Sequence, residues 1–370
     1  MYIHELRDWR RFRWDHQSLA GPLASASHKQ GRLIGQMEGL GTITEEAVLR
    51  TLTQDVVKSS EIEGEQLDTD QVRSSIARRL GMDIAGLKTA DRNVEGVVEM
   101  MLDATQRYDQ PLTTERLFSW QAALFPTGRS GMNRINVGAW RDDRVAPMQV
   151  VSGPVGRERV HFVAPAAARL DDEMARFLDW FNGDVSTEPM LKAAQAHLWF
   201  VTIHPFDDGN GRITRAITDM ILARSEASAQ RFYSMSAQIR LDRGDYYRIL
   251  ERTQHGTMDV TPWMEWFLGC LTRAIEGAHT TLAGVISKAR TWEQLREVPL
   301  NDRQRLVLNR LLDGFEGKLT SSKWATLVKC SQDTALRDIQ ALVERDVLVR
   351  DAGGGRSTSY SLADFARAAP

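Results

Sequence analysis

Twelve residues near the middle of the chain, His204-Pro205-Phe206-Asp207-Asp208-Gly209-Asn210-Gly211-Arg212-Ile213-Thr214-Arg215, admit few folds. An apolar run from Met190 to Val201 leads into them, and Ile213, Ile217, Met220 and Ile221 recur behind them at helical spacing. The stretch therefore reads as helix, loop, helix, with the loop opening onto the N-terminus of the second helix. Unpaired backbone N–H groups and the helix dipole make such an N-terminus an anion site. Gly209 and Gly211 let the backbone come close to the anion, while Arg212 and Arg215 share one helical face and can both aim guanidinium groups at phosphate. Asp208 beside this cradle suits Mg2+, which proteins commonly hold with one or two carboxylates plus substrate phosphates. His204, at the loop entrance, has an ordinary pKa near ~6.5 and is fit to take a proton from an incoming hydroxyl. A polar loop with an N-capping Asn210 and solvated arginines would account for any one of these residues. Their combination reads as nucleotidyl-transfer equipment.

The run resembles the signature of the Fic (Fic/Doc) family, His-x-Phe-x-(Asp/Glu)-Gly-Asn-Gly-Arg-x-x-Arg, at every specified position. The resemblance implies a mainly helical core with a β-hairpin flap, and transfer of AMP from ATP to a hydroxyl side chain of a target protein. It implies that His204 is the base and that Asp208 holds Mg2+ on the α- and β-phosphates. Gly209, Asn210, Gly211 and Arg212 would then cradle the phosphates, and Arg215 would reach the γ-phosphate. Upstream, Ala47, Leu49, Leu52, Val56 and Val57 mark an amphipathic helix running into Ser59-Ser60-Glu61-Ile62-Glu63-Gly64, where Gly64 reads as the helix end. Acidic residues at a helix C-terminus oppose its dipole and invite a partner cation. Ser59-x-x-x-Glu63-Gly64 resembles the inhibitory pattern (Ser/Thr)-x-x-x-Glu-(Gly/Asn) found ahead of some Fic cores. That likeness implies that Glu63 pairs with Arg215 and fills the space of the γ-phosphate.

Residues 145–151 and Arg159–Val163 read as a hairpin around a Gly-Pro-x-Gly turn. No Gly-Lys-Ser/Thr follows, so this turn is not a phosphate loop. The resemblance makes it a flap whose edge pairs with a target segment, and Val163, Ala164 and Pro165 are expected to touch nucleotide or target. His197, beside Leu198, Trp199 and Phe200, reads as a core histidine. Of the adjacent Tyr246 and Tyr247, one can face the core and the other a base, and Tyr246 is assigned to the adenine side. Trp9, Phe12 and Trp14 read as packing anchors rather than a base-stacking surface.

Past a break at 297–301, three helices and two short strands resemble a winged helix. Ser331 would cap its recognition helix, Thr334, Arg337 and Asp338 would lie toward the exposed N-terminal side, and Gly353 to Arg356 would form the wing. From Asn301 onward eleven Lys/Arg face nine Asp/Glu, a net of only +2, so DNA binding and protein docking both stay open. The expected domains are 1–95, N-terminal helices with the inhibitory motif; 96–290, the Fic core; and 300–370, the winged helix. A formal charge of -2 provides no global attraction to nucleic acid or acidic membranes. Cys270 and Cys330 lack the spacing of a disulfide framework or a zinc site. Charges near the N-terminus and the absence of any run of ~18 apolar residues lead to the expectation of a cytoplasmic protein with no membrane partner. The expected function is AMP transfer from Mg-ATP to a Ser, Thr or Tyr hydroxyl of a target protein, or of the chain itself, autoinhibited by Glu63. The alternatives are AMP removal at the same site and a winged-helix transcription regulator with an ATP-sensing core. A homodimer is left open.

Overall fold

The computed structural model describes residues 1–38, 43–82, 87–144, 146–154, 156–183, 185–315, 317–351 and 358–363. Val145 of the expected hairpin and Gly353 to Arg356 of the expected wing lie outside them. Two compact units divide the chain, one built from residues up to His279 and the other from Thr280 onward.

The first unit is mainly helical. It opens with α1 (His16–Glu38), α2 (Ile43–Ile62), α3 (Thr69–Arg79), α4 (Arg92–Gln106) and α5 (Thr114–Leu124). The last three each begin on a side chain that accepts from first-turn N–H groups: Asp68 for α3, Asp91 for α4 and Thr113 for α5. Two antiparallel hairpins follow, the small β1 (Arg129–Ser130) with β2 (Asn133–Arg134), then β3 (Gln149–Ser152) with β4 (Arg159–Val163). Gln149 faces Val163 in the longer hairpin, and a bulge interrupts the register between Val150 and Val151. Next come α6 (Leu170–Gly183), α7 (Pro189–Ile203), α8 (Asn210–Glu226), α9 (Met235–Leu241), α10 (Arg243–Gln254) and α11 (Thr261–Gln294), whose residues from Thr280 on belong to the second unit.

Helix α7 is the central rod. Glu188 caps it, Pro189 occupies its first turn, and almost every side chain along it is buried. His197 on this rod is fully buried and contacts Thr218 of α8 and Tyr246 of α10, each at 2.9 Å. The Thr218 hydroxyl donates to the Thr214 carbonyl (2.8 Å), so it accepts from the Nδ1–H of His197, and Nε2 in turn accepts from the Tyr246 hydroxyl. Burial, with help from the Arg215 charge, holds His197 neutral and its pKa down to about 3. It is a core histidine that fixes three helices together. Trp9 is 7% exposed and donates to Glu173 of α6 at 2.9 Å, and Phe12 packs edge-on against Trp199, which makes the N-terminal aromatics anchors.

Helix α2 reaches the middle of this unit through Asp55, which accepts from the Ser234 hydroxyl and from the Ser236 N–H (3.1 Å) at the start of α9. Beyond α2 the chain turns at Gly64, whose φ of 85° is left-handed.

The second unit contains α12 (Asp302–Leu312), α13 (Ser321–Val328), α14 (Gln332–Val343) and the antiparallel pair β5 (Leu348–Arg350) and β6 (Tyr360–Leu362). Asn301, Thr320 and Ser331 cap the three helices. Trp324, Val307, Leu308, Ile339 and Leu342 fill its core. Asp338 departs from expectation. It is 6% exposed and accepts from Arg303 (2.7 and 3.0 Å) and Asn301 (2.9 Å). The reason is helical phase, since Asp338 falls on the Ala335, Ile339, Leu342 stripe that faces inward. Among the described residues no helix is long and apolar enough to cross a membrane.

Candidate active site

The site is the loop from α7 to α8. Its entrance, His204, adopts φ 52° and ψ 58°, a left-handed turn that takes the chain out of α7. Its exit, Gly209, sits at φ 88°, and a Cβ there would also stand 3.0 Å from Phe125 Cε2. Asn210 closes the loop on itself: Oδ1 accepts from Phe206 N (3.0 Å) and Nδ2 donates to Phe206 O (2.7 Å). Phe206 is fully buried between Phe118, Trp140 and Phe200. Asn210 is therefore a loop clamp, and the N-cap of α8 is Gly209.

His204 Nδ1 lies 3.2 Å from the Val201 carbonyl. A carbonyl only accepts, so the proton sits on Nδ1 and the Nε2 lone pair is free. Burial pushes the pKa down to about 4, with the Val201 carbonyl and the Glu63 and Asp208 carboxylates pulling the other way. The imidazole is thus neutral, in its basic form, across the physiological range. Arg141 fixes its backbone. The Arg141 side chain is fully buried and donates to His204 O (2.8 Å), Pro165 O (2.6 Å) and Asp143 (2.8 Å), while its own N–H bonds Pro205 O (2.9 Å).

Two arginines line the start of α8. Arg215 is 1% exposed, and its Nε and Nη2 donate to Ser59 Oγ (2.8 Å) and Ser59 O (2.9 Å). Its Nη2 also meets Glu63 Oε1 at 2.7 Å. Burial works against this charge, but Glu63 and the nearby tyrosine hydroxyls together outweigh it and raise the Arg215 pKa. Arg212, 2% exposed, stacks over the Phe125 ring at 5.1 Å and meets Glu65 Oε2 at 2.6 Å. The Glu63 carboxylate rests directly on Gly211: a Cβ at 211 would lie 2.1 Å from Glu63 Oε1. Arg212 Nε and Arg215 Nη1 are buried and find no partner among the described residues.

Residues 111–222 match the model of the Fic/DOC family. The chain carries a Fic/DOC domain. Residues 2–82, ahead of the Fic domain, match a domain of unknown function, DUF4172. Over 124 residues the chain is 35% identical to the protein adenylyltransferase Fic of Nematostella vectensis, covering 32% of this chain and 27% of that protein. The protein of the same name from Drosophila willistoni is 25% identical over 228 residues, 60% of this chain and 41% of the relative. The chain thus spans less than half the length of these curated relatives. A Fic family protein from Desulfovibrio desulfuricans G20 shares the fold with a TM-score of 0.53 at 22% identity, over 94% of this chain and 96% of that one. A Fic domain containing signaling protein from Bacteroides thetaiotaomicron VPI-5482 gives a TM-score of 0.51 at 20% identity, over 69% and 97% of the two chains.

Within the Fic domain, Asp208 Oδ1 accepts from Gly209 N (2.6 Å) and Oδ2 from the Ser130 hydroxyl on β1. No cluster of three or more His, Cys, Asp or Glu forms a self-sufficient metal cage among the described residues. One carboxylate beside an anion cradle fits a Mg2+ that takes its other ligands from phosphates and water. One expectation changes. Tyr246, assigned to the adenine side, is 2% exposed and packed against Trp263 and Trp266, so no base can stack on it without unpacking the core. Tyr247, 39% exposed with Arg243 over its ring at 5.4 Å, is the outward member of the pair. Val163, Ala164 and Pro165 are tied through their backbone: Val163 O accepts from His4 (2.8 Å), Ala164 N donates to Met148 O (3.0 Å), and Pro165 O is held by Arg141. The stretch anchors the hairpin, leaving Val151 and Val160 as its exposed apolar side chains. Arg141, Ser130 and Glu65 carried no signal in the sequence, since none falls inside a recognisable spacing.

Proposed function

We propose that this chain is a protein adenylyltransferase. It moves AMP from Mg-ATP to a Ser, Thr or Tyr hydroxyl of a target protein, its own hydroxyls included, and Glu63 holds it at rest. The observation that carries this reading is the pair of buried guanidinium groups at the start of α8, Arg212 and Arg215, each with a nitrogen left without a partner among the described residues. Cations buried at a helix N-terminus are suited to a polyphosphate. A neutral histidine with a free Nε2 beside them is suited to a hydroxyl proton.

In this reaction the target hydroxyl oxygen bonds to the α-phosphorus and its proton passes to His204 Nε2. The bond from the α-phosphorus to the bridging oxygen breaks, and pyrophosphate leaves. Base catalysis of this kind contributes about 10^2 to 10^4 in rate. The N–H groups at the start of α8 and Arg212 oppose the charge that builds on the phosphoryl oxygens. Mg2+, when bound through Asp208, supplies further positive charge against the phosphates. Glu63 sits where Arg215 would meet a terminal phosphate, which makes it the brake. The names of the relatives support the transfer of an adenylyl group. The second unit is read as a winged helix, and the setting as cytoplasmic.

The test is incubation of wild type, Glu63→Gly and His204→Asn with α-labelled ATP and Mg2+, followed by gel and mass spectrometry. Asparagine tolerates the left-handed backbone at 204, so loss of label reports the base and not a strained loop. Strong labelling by Glu63→Gly, weak labelling by wild type and none by His204→Asn is the expected pattern. If Glu63→Gly abolishes release of AMP from a modified target instead of raising labelling, Glu63 is a catalyst of removal and the brake is wrong.

A further inference from the structure

A second acid, just past the brake, also reaches the cradle. Glu65 Oε2 lies 2.6 Å from Arg212 Nη1, and Glu65 N bonds Ser60 O at 3.0 Å, so a short fixed turn beyond α2 delivers the carboxylate. The end of α2 thus sets two carboxylates on two different arginines of the same motif. The pairs are unequal. Glu63 is 31% exposed against an Arg215 that is 1% exposed, while Glu65 is 48% exposed against an Arg212 that is 3% exposed. Arg212 is almost fully buried and stacked on the Phe125 ring, so the movable partner is Glu65. Its half-solvated pair is the weaker and more readily opened of the two.

Taking AMP transfer as the reaction, the α-phosphate lies at the loop beside His204. Arg212, nearer the N-terminus of α8, then serves the inner phosphates, and Arg215, one turn further along, serves the terminal one. We propose that Glu65 is a second gate that competes with the inner phosphates through Arg212, and so discriminates against diphosphate and triphosphate alike. Glu63 discriminates through the terminal phosphate alone. The site is closed by two contacts with different nucleotide selectivity.

Calorimetric titration of Mg-ADP and Mg-ATP into the full chain, as wild type, Glu63→Gln, Glu65→Gln and the double variant, separates them. Glu65→Gln should tighten ADP and ATP each by about fivefold to tenfold, equivalent to roughly 1 to 1.4 kcal/mol. Glu63→Gln should tighten ATP by more than it tightens ADP. ADP affinity in Glu65→Gln within about twofold of wild type, while the double variant binds ATP tightly, overturns the gate and leaves AMP transfer standing. Failure of all four proteins to bind either nucleotide overturns AMP transfer, and the gate with it.

Discussion

Arg141→Ala should be the most damaging single truncation near the loop. The side chain is fully buried and donates to His204 O, Pro165 O and Asp143 at 2.8, 2.6 and 2.8 Å. Removing it leaves two carbonyls without their donor, at about 1–3 kcal/mol for each that is buried. Asp143, whose side chain is 25% exposed, regains water and adds least. The two carbonyls together put the cost at roughly 2–6 kcal/mol. In a domain of this size ~2–4 °C accompanies each kcal/mol, so the unfolding midpoint should drop by roughly 4–24 °C. Differential scanning calorimetry reads the shift. Arg141→Lys keeps the charge but serves only one direction of the fork, so its midpoint should fall between the two. In a Glu63→Gly background it should lower kcat more than it raises KM, because the His204 backbone loses its tie. A midpoint for Arg141→Ala within about 2 °C of wild type, or Arg141→Lys equal to wild type in both measurements, refutes this account of how His204 is held.

Two other perturbations bear on the same loop. Since the His204 pKa is down at about 4 from 6.5, the stability it contributes is complete above pH 6.5 and is lost as pH falls toward 4. The kcat/KM profile of Glu63→Gly should accordingly hold its plateau to about pH 5, and an acid limb centred near 6.5 would contradict a half-buried base that stays neutral. Gly211→Ala would set a Cβ 2.1 Å from Glu63 Oε1, which should destabilise the wild-type background by about 1–3 kcal/mol and be largely relieved in Glu63→Gly. Additive effects of the two substitutions in chemical denaturation would mean that the carboxylate is not seated there.

The helix, loop and helix around 204–215 were legible because periodicity changes sharply at two glycines. Ser59 lies in the last turn of α2 and Glu63 four residues on, just past its end, so both reach the same guanidinium. Arg141 was not legible. It acts on a carbonyl 63 residues away, through backbone that composition does not mark. Tyr246 and Tyr247 show a second limit: neighbours on a helix point about a third of a turn apart, and which one faces inward depends on how α10 packs against Trp263 and Trp266. Asp338 could have been read correctly, since it falls on the stripe of Ala335, Ile339 and Leu342. Its charge suggested solvent, and Arg303 removes the penalty.

Glu63 and Arg215 belong to one chain, 152 residues apart, so the carboxylate on Gly211 is a tethered ligand. Its occupancy depends on an effective concentration set by the fold and not on how much protein is present. Dilution and dialysis strip a diffusible ligand from its site, and they leave a tethered carboxylate in place. On the proposed reading, nucleotide displaces it only by mass action against that fixed local concentration. The tether itself is held by the grip of Asp55 on Ser234 and Ser236, which ties α2 to the start of α9.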